Sequence, residues 1–333
     1  MTAPGHEPNG ADATIGVDLG GTKMLVGVVD GRGETVHRRV ATSAGLSGDA
    51  LLELLDAEVR IAIESHPDVV AIGLGVPCIV DADRGICLNS NHLPLIEVPL
   101  KERVAELTGL PVALDNDGNA AAVAELERGA ARGATNVVLL TIGTGIGGGL
   151  ILGGRPYHGS RGAAAELGHV VVDINGPPCQ GNCPNHGCIE SIASGTALRI
   201  EAEFAVAEYP ESALARAAAE GAEVDGRLVT ELAQAGDPTS IDVLDTLGRR
   251  LGVALSGLAN IFDPDVFVIG GGVMAAGDLL LGPAREEFAA RALTPQNETP
   301  VRAAALGPDA GMIGAAILAR DARNEHAAMG AEV

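Results

Sequence analysis

Four side chains that could hold a metal ion lie close together in the sequence. His169 is followed by Cys179, Cys183 and Cys188, in a chain that contains only 5 cysteines. One imidazole and three thiolates complete the tetrahedral coordination that zinc adopts in structural sites, and they leave no position open for a substrate. The alternative is a loop of reduced cysteines without a metal, but the clustering favours zinc. The sequence therefore predicts a structural zinc site at these four residues.

A cluster of carboxylate and amide side chains occupies residues 115–119, where an apolar segment passes into an alanine-rich one. A carboxylate in this cluster could accept the proton of a substrate hydroxyl as that hydroxyl attacks a phosphoryl group, while a neighbouring amide holds the alcohol in place. The alternative is that Asp117 or Asn119 only caps a helix, and the two roles are compatible. The cluster could therefore supply a general base.

Two glycine-rich turns, each between two apolar segments, could bind phosphate groups. Their glycines let the backbone approach an anion closely, and their threonine hydroxyls are hydrogen-bond donors. For either turn taken alone, an ordinary glycine hairpin is the alternative. The candidate phosphate-binding residues are Asp18, Gly20, Gly21, Thr22 and Lys23 at the first turn and Thr144 and Gly145 at the second.

Glycines also raise two possibilities for nucleotide binding. Gly270, Gly271 and Gly272 follow an apolar segment and could let a flat adenine or ribose lie against the backbone, or they could form a plain strand-to-helix turn. Residues 143–148 match the dinucleotide-binding pattern G-x-G-x-x-G. That pattern requires a helix directly after the turn, whereas residues 150–155 predict a strand and a second turn. A dehydrogenase is therefore disfavoured.

The elements that must position these residues alternate between strand and helix along the chain. An arrangement of strand, glycine turn and strand begins at Thr14 and returns at Val137, which indicates two related halves. This pattern predicts a two-domain α/β protein with a cleft between the domains. The predicted divisions are a tail 1–13, an N-terminal domain 14–117, a larger domain 118–308 with the cysteine loop, a C-terminal helix 309–322 that returns toward the first domain, and a tail 323–333.

The charge balance argues against several classes of partner. The 333 residues include 22 basic and 44 acidic side chains, and the net charge of −22 would repel nucleic acid and an anionic membrane surface. The N-terminal residues contain neither a basic nor an apolar run, so we expect no secretory signal and a cytoplasmic location. In a reducing compartment we interpret Cys78 and Cys87 as small buried thiols rather than a disulfide.

Taken together, these segments resemble the ROK family, which includes repressors, open reading frames and sugar kinases. The resemblance extends from residue 14 to residue 320, in the order that the family shows. It implies a two-domain actin-like (RNase H-like) ATPase fold with an interdomain cleft. The matching segments are residues 18–23, 73–77, 91, 116–117, 141–148, 166–169, 187–190, 270–272 and 307–316.

The resemblance implies an ATP-dependent kinase that phosphorylates the 6-hydroxyl of a hexose. Glucose is the first candidate, and GlcNAc or ManNAc is the alternative acceptor. Asp117 would be the general base, and Asp18 would reach Mg²⁺ directly or through water, while the glycine segments bind ATP. The implied sugar-binding residues are Gly75, Asn91, Asn116, Asp117, Glu166, His169 and Glu190. His169 would hold zinc through one ring nitrogen and contact the sugar through the other.

This chain departs from the family pattern in the cysteine loop, before Glu166 and after Asp117, where Gly118 replaces a common alanine. The usual cysteine loop is Cys-x-Cys-Gly-x-x-Gly-Cys, whereas three residues separate Cys179 from Cys183 here, and Pro184 replaces the glycine. Ala165 replaces a common glycine before Glu166. A sugar-sensing repressor would need a helix-turn-helix segment, for which the residues before Thr14 are too few, so we expect a kinase. By family analogy we expect a homodimer.

Overall fold

The computed structural model describes residues 12–90 and 92–330, with side chains described up to Asn324. The strands are β1 (Ala13–Leu19), β2 (Lys23–Val29), β3 (Thr35–Thr42), β4 (Val69–Val76), β5 (Ile79–Asp81), β6 (Ile86–Asn89), β7 (Ile96–Val98), β8 (Val112–Asn116), β9 (Val137–Ile142), β10 (Ile146–Leu152), β11 (Arg155–Pro156), β12 (Val266–Gly270) and β13 (Val301–Ala303). The α-helices are α1 (Gly48–Ser65), α2 (Leu100–Thr108), α3 (Asp117–Arg128), α4 (Ile189–Ala193), α5 (Gly195–Glu208), α6 (Ala213–Ala219), α7 (Gly226–Gln234), α8 (Pro238–Phe262), α9 (Asp278–Arg291) and α10 (Ala310–Gly330).

The chain divides into two compact units. Unit 1 contains the residues up to Arg128, the segment Pro156–Ala164 and the residues from Pro308 onward. Its five-stranded sheet has the order β3-β2-β1-β4-β8. The first three strands pair antiparallel, whereas β1 is parallel to β4 and β4 is parallel to β8. Apolar side chains from β1, β4 and α1 form the core of this unit.

Unit 2 consists of Gly129–Arg155 and Ala165–Gly307. Its sheet has the order β11-β10-β9-β12-β13. Here β9 is antiparallel to β10 and parallel to β12, and β12 is parallel to β13. The two sheets therefore share one topology, in which β9 corresponds to β1. The strand–turn–strand repeat predicted from the sequence is confirmed.

The units divide the sequence differently from the predicted domains. Unit 1 continues to Arg128 instead of ending at residue 117, because α3 packs against α10 and both helices belong to this unit. Helix α10 continues to Gly330 instead of ending at residue 322. Residues 1–11 and 331–333, from the two predicted tails, lie outside the described residues.

Glycines let α10 pack closely against the sheet and helix α3 of unit 1. Gly16 on β1 and Gly73 on β4 are neighbours in the sheet. A Cβ on Gly16 would lie 1.9 Å from the carbonyl oxygen of Met312, and one on Gly73 would lie 1.8 Å from that of Ala315. On the other side of the helix, a Cβ on Gly314 would lie 1.7 Å from the carbonyl oxygen of Ala120 in α3. Real Cβ atoms cannot approach this closely, so each position requires glycine.

Small residues have the same function in unit 2, where α8 packs against α9. A Cβ on Gly248 would lie 2.4 Å from the carbonyl oxygen of Leu280, and one on Gly252 would lie 2.5 Å from that of Ala284. Beneath this helix pair, the rings of Phe267 and Phe288 meet edge to face. Among the described helices, none combines the length and the apolar character needed to span a bilayer.

The structure corrects the prediction for Cys78 and Cys87, which it joins in a disulfide. Both residues are buried, as predicted, but the antiparallel pairing of β5 with β6 brings their Cα atoms to 5.8 Å. That separation lies within the range that a disulfide requires. The sequence prediction was wrong because it rested on the expected reducing compartment and did not include the pairing of β5 with β6.

Replacing Gly314 tests the packing of α10. Gly314→Ala places a methyl group against the backbone of Ala120, so we expect a loss of about 3 kcal/mol of unfolding free energy, at the high end for overpacking. The control is Gly257→Ala on the exposed side of α8, where a Cβ meets no atom within 4 Å. That variant should gain about 0.5–1 kcal/mol from helix propensity. Denaturant unfolding compares the two, and equal stability of Gly314→Ala and the wild type would contradict the packing argument.

Candidate active site

Three parallel strands of unit 1 bring candidate residues into one row at their carboxyl ends. In the sheet register, Asp18 of β1 is opposite Gly75 of β4, and Gly75 is opposite Asp115 of β8. Asp117 follows at the first position of α3. A Cβ on Gly75 would lie 3.7 Å from the Cα of Asp117. Ligands of open α/β sheets bind outside the carboxyl ends of the strands, so this edge is the candidate site of unit 1.

Burial raises the pKa of both carboxyl groups, on Asp18 and on Asp117. Burial and the neighbouring Asp117 raise the pKa of Asp18 to about 7, against a smaller opposing effect of Lys23. Burial also raises the pKa of Asp117, while the backbone N–H of Gly118 and the nearby His92 act in the opposite direction. Buried carboxyls with raised pKa values are typical of functional sites. A cation at this edge would favour the charged form of both groups.

The predicted first phosphate turn joins β1 to β2. The backbone N–H of Gly20 donates to the carbonyl of Lys23 at 2.9 Å, and the hydroxyl of Ser43 donates to the carbonyl of Gly20 at 2.6 Å. A Cβ on Gly21 would lie 2.9 Å from the carbonyl oxygen of His92. Thr22 and Lys23 are exposed, so their side chains are accessible to a ligand.

Asn116 caps α3, a role that the sequence analysis assigned to Asp117 or Asn119. Its Oδ1 accepts hydrogen bonds from the backbone N–H of Gly118 at 2.8 Å and of Asn119 at 3.4 Å. Its Nδ2 donates to the carbonyl of Cys78 at 3.2 Å. Asp117 also accepts from the N–H of Gly118, at 2.9 Å. The helix start thereby fixes the backbone on both sides of Asp117.

The predicted second phosphate turn, in unit 2, is held by α4 and α5. The backbone N–H of Ile146 donates to Oε2 of Glu190 at 2.7 Å, and a Cβ on Gly145 would meet the same carboxylate. The carbonyl of Thr144 accepts from the hydroxyl of Thr196 at 2.9 Å. The turn leads directly into β10, which confirms that no helix follows the G-x-G-x-x-G pattern. Glu190, predicted to bind sugar, therefore also fixes this turn.

The four predicted metal ligands come together in unit 2. One ligand atom from each of His169, Cys179, Cys183 and Cys188 lies within 4.8 Å of all the others. Nδ1 of His169 faces the cluster, 3.4 Å from Sγ of Cys179. The longer interval after Cys179 therefore leaves its thiol within the cluster. This set of one imidazole and three thiols fits a tetrahedral zinc ion.

Local backbone geometry fixes the loop around this cluster. Gly187 has a φ of +64°, and a Cβ there would lie 1.6 Å from the carbonyl oxygen of Asp173. Ala165 has a φ of +67°, the left-handed conformation that favours the glycine common in the family at this position. Glu166 follows Ala165 and is exposed, and its carbonyl accepts from the backbone N–H of His169 at 3.1 Å.

Gln180 is one of the three residues in the longer cysteine interval, and the sequence analysis gave it no role. Its Nε2 donates to the hydroxyl oxygen of Ser194 at 2.9 Å and to the carbonyl of Thr144 at 3.4 Å. Gln180 therefore joins the cysteine loop to the second phosphate turn.

A cavity of about 560 Å³ lies beside this turn, within unit 2. Its lining includes Thr144, Gly195, Arg227, Glu231, Gln234 and Gly272. Of these, Thr144 and Gly272 were predicted. The residues of α7 were missed, because an amphipathic helix without a polar motif gives no signal of ligand contact. Gln234 and Ala275 both line this cavity, and Nε2 of Gln234 donates to the carbonyl of Ala275 at 3.1 Å.

The glycine segment at the end of β12 contributes to the wall of this cavity. Gly271 has a φ of +91°, and a Cβ there would lie 2.3 Å from the carbonyl oxygen of Ile142. Gly270 pairs with Thr141 in the sheet, while a Cβ on Gly272 would meet no atom within 4 Å. The backbone at Gly272 is therefore open to a flat ligand. Asn91, predicted to contact the sugar, lies outside the described residues.

Comparisons with known proteins agree with this architecture. The family model described as "ROK family" matches residues 14–322. A glucokinase of Halalkalibacterium halodurans is 37% identical, with 93% of this chain and 96% of that protein covered. A glucokinase of Streptomyces coelicolor is 38% identical over 92% of this chain and 98% of its own length. The crystal structure of a ROK family glucokinase from Streptomyces griseus, in complex with glucose and AMPPNP, matches with a TM-score of 0.80 and 38% identity, covering 93% of this chain and 99% of that one.

The chain belongs to the ROK family. The family resemblance identified from the sequence is confirmed, and so is the predicted two-domain actin-like ATPase fold.

The raised pKa of Asp18 predicts how stability depends on pH. The folded protein holds this proton more tightly than the unfolded chain, because the pKa rises from 3.8 to about 7. The contribution of Asp18 to stability is therefore fully present below pH 3.8 and is lost as the pH rises through about 7. Without Mg²⁺, Asp18→Asn should be more stable than the wild type at about pH 8, by on the order of 2 kcal/mol after allowance for partial exposure, and equal to it at about pH 4.

Thermal unfolding at both pH values measures this difference. Asp68→Asn, an exposed carboxyl of the same unit, is the matched control and should show no comparable pH-dependent gain. An Asp18→Asn variant that is less stable than the wild type at about pH 8 would contradict the electrostatic assignment.

Proposed function

We propose that this chain is an ATP-dependent glucose kinase that transfers the γ-phosphoryl group to the 6-hydroxyl of the sugar. The observation that carries the proposal is the carboxyl of Asp117 at the start of α3, beside Asp18 and Gly75 at the carboxyl ends of parallel strands. The similar glucokinase from Streptomyces griseus binds glucose together with AMPPNP. A site that sets a base beside a cation-binding carboxylate suits phosphoryl transfer, which depends on positioning and charge neutralisation.

Asp117 acts as the general base. Its carboxylate accepts the proton of the sugar 6-hydroxyl while the hydroxyl oxygen forms a bond to the γ-phosphorus, and the bond from that phosphorus to the bridging oxygen of ADP breaks. Burial raises the pKa of Asp117, which makes the carboxylate a stronger base than an exposed one. The hydrogen bonds around Asn116 fix its backbone in advance.

In unit 1, Asp18 and Lys23 interact with the phosphates of ATP. A divalent cation fits at Asp18, because its carboxyl lies close to that of Asp117 with little compensation and its pKa is raised to about 7. Mg²⁺ bound there would neutralise charge on the β- and γ-phosphates. The glycines of the first turn, Gly20 and Gly21, let the backbone approach those phosphates, and Thr22 supplies a hydroxyl donor.

Unit 2 holds the nucleoside of ATP in the cavity of about 560 Å³. A volume of this size suits a nucleoside, since ligand pockets measure about 300–1,000 Å³. The open backbone at Gly272 can lie against the flat base, and Thr144 with Gly145 reaches the phosphates at the second turn. Gly270 and Gly271 directly precede Gly272 and are proposed to bind the nucleotide with it.

Two of the proposed sugar contacts, Glu190 and His169, each keep a polar atom for a sugar hydroxyl. Oε2 of Glu190 accepts from the backbone N–H of Ile146 at 2.7 Å, whereas Oε1 lies 3.9 Å from Sγ of Cys179 and can accept a second hydrogen bond from a hydroxyl. Nδ1 of His169 faces the cysteine cluster, so Nε2 remains for the sugar. The remaining proposed sugar contacts are Gly75, Asn91, Asn116 and Glu166.

Zinc at His169, Cys179, Cys183 and Cys188 acts through structure and not through chemistry. All four ligands come from the protein, so the ion has no open position for a substrate. It would hold His169 in one orientation and fix the loop that ends at Cys188, two residues before Glu190. We further propose a cytoplasmic location and a homodimeric assembly, the latter by analogy with the family.

The experiment that tests the proposal is a coupled assay of ADP release with Mg²⁺ and ATP. It compares glucose with GlcNAc, ManNAc, mannose and fructose as acceptors. We expect the highest kcat/KM with glucose. A preference for an acetylated sugar would keep the mechanism and change the substrate, whereas no turnover on any of these sugars would contradict the kinase assignment.

Asp117→Asn removes the proposed base but keeps the size of the side chain. We expect kcat to fall by about 10²–10⁴-fold, while the Kd for glucose changes by less than about 3-fold. Asp68→Asn serves as the control for a lost surface carboxyl, and its kcat should equal that of the wild type. Turnover near the wild-type value in Asp117→Asn would refute the general-base role.

Loss of zinc should weaken sugar binding. In Cys188→Ser we expect less than one zinc per chain and a rise of about 10–100-fold in the KM for glucose, because His169 and Glu190 lose their support. The matched control removes both cysteines outside the cluster, Cys78→Ala with Cys87→Ala, and should retain zinc and its KM. A zinc-free protein with the wild-type KM for glucose would show that the metal does not support the site.

A further inference from the structure

Asp115 is a buried carboxyl to which the mechanism above assigns no role. It is 4% exposed and lies on β8, two residues before Asp117. Its Oδ1 accepts from the backbone N–H of Asn116 at 2.7 Å and from Nδ2 of Asn119 at 3.0 Å. Asp115 therefore joins the end of β8 to the first turn of α3. In the sequence, Asp117 lies between Asn116 and Asn119, the two residues that Asp115 binds.

The second oxygen of Asp115 is bound by a residue far away in sequence. Nε2 of His158 lies 2.7 Å from Oδ2 of Asp115, and the two residues are 43 positions apart. The His158 side chain is 33% exposed, whereas that of Asp115 is 5% exposed. Solvent therefore reaches this pair of side chains at His158 and hardly at all at Asp115.

The fold fixes the segment that carries His158. The backbone N–H of Ala164 donates to the carbonyl of His158 at 3.1 Å. Gly162, with a φ of +70°, lies so close to β5 that a Cβ there would be 1.8 Å from the carbonyl oxygen of Val80. The backbone that carries the imidazole is therefore fixed, and the imidazole itself is held by its contact with Asp115.

Charge supports the same arrangement. The hydrogen bond to Asp115 raises the pKa of His158 against the opposing effect of burial, and the charges of Asp115 and Asp83 raise it further. The imidazolium form supplies the charge that a buried carboxylate needs, since an unpaired buried charge is costly.

We propose that His158 is a positioning residue for Asp117 and acts through Asp115. By holding Oδ2, the imidazole keeps the Asp115 carboxylate in the orientation in which Oδ1 binds Asn116 and Asn119. Without it, Oδ2 of the buried carboxylate loses this partner, and the backbone that carries Asp117 loses one of its constraints. The inference rests on the proposed kinase function, because its effect appears at the general base.

The test measures kcat and KM separately. In His158→Ala we expect kcat to fall by about 10-fold or more, as for other residues that orient a reacting group, while the KM values for glucose and ATP stay within about 2-fold. His158→Gln restores a donor at the position of Nε2 and should recover at least half of the lost activity. Arg161→Ala, an exposed change on the same segment, is the control and should leave kcat unchanged.

A double-mutant cycle tests whether the effect passes through Asp115. If it does, His158→Ala should reduce kcat in the wild type but change it by less than about 2-fold in an Asp115→Asn background. Equal losses in both backgrounds, a change in KM without a change in kcat, or no rescue by His158→Gln would overturn the proposal. Turnover by the wild type is measured in the same assay, so a failure of this inference is distinct from a failure of the kinase assignment.

Discussion

Burial of carboxyl groups at the carboxyl ends of three parallel strands in unit 1 is the constraint on which the candidate site depends. The register sets Asp18 and Asp115 on either side of Gly75, and Asp117 follows two residues after Asp115, at the start of α3. The protein compensates these groups unequally. Asp115 has two donors on one oxygen and His158 on the other, while the pKa of Asp18 rises to about 7. The compensated carboxyl, that of Asp115, joins β8 to α3, whereas the raised pKa of Asp18 is typical of a functional group.

The two sheets share a topology but carry different chemistry at equivalent positions. In unit 1, the paired strand ends bring Asp18 opposite Gly75. In unit 2, the corresponding strands bring Thr141 opposite Gly270. Equivalent positions of the two sheets therefore carry an acidic residue in unit 1 and small neutral residues in unit 2. The chemistry of each strand end depends on these side chains and not on the shared topology.

Local patterns in the sequence were sufficient for much of this structure. The alternation of strands and helices, both glycine turns and the cluster at His169 and Cys188 are visible as short motifs, and the structure contains each of them. Contacts between distant residues were not visible. The disulfide of Cys78 depends on strand pairing, and the bond of His158 to Asp115 depends on how a 43-residue interval folds back. Such contacts follow from tertiary packing, which leaves no periodic signal in a single sequence.

The position of the transferred phosphate tests the central claim most directly, because only a hydroxyl that faces Asp117 can lose its proton to that carboxylate. The measurement is the NMR spectrum of the product formed from ¹³C-labelled glucose and ATP, in which coupling to phosphorus identifies the esterified carbon. The account predicts a single phosphate ester at C6 of the sugar. A phosphate at C1, or release of inorganic phosphate without a sugar ester, would contradict it.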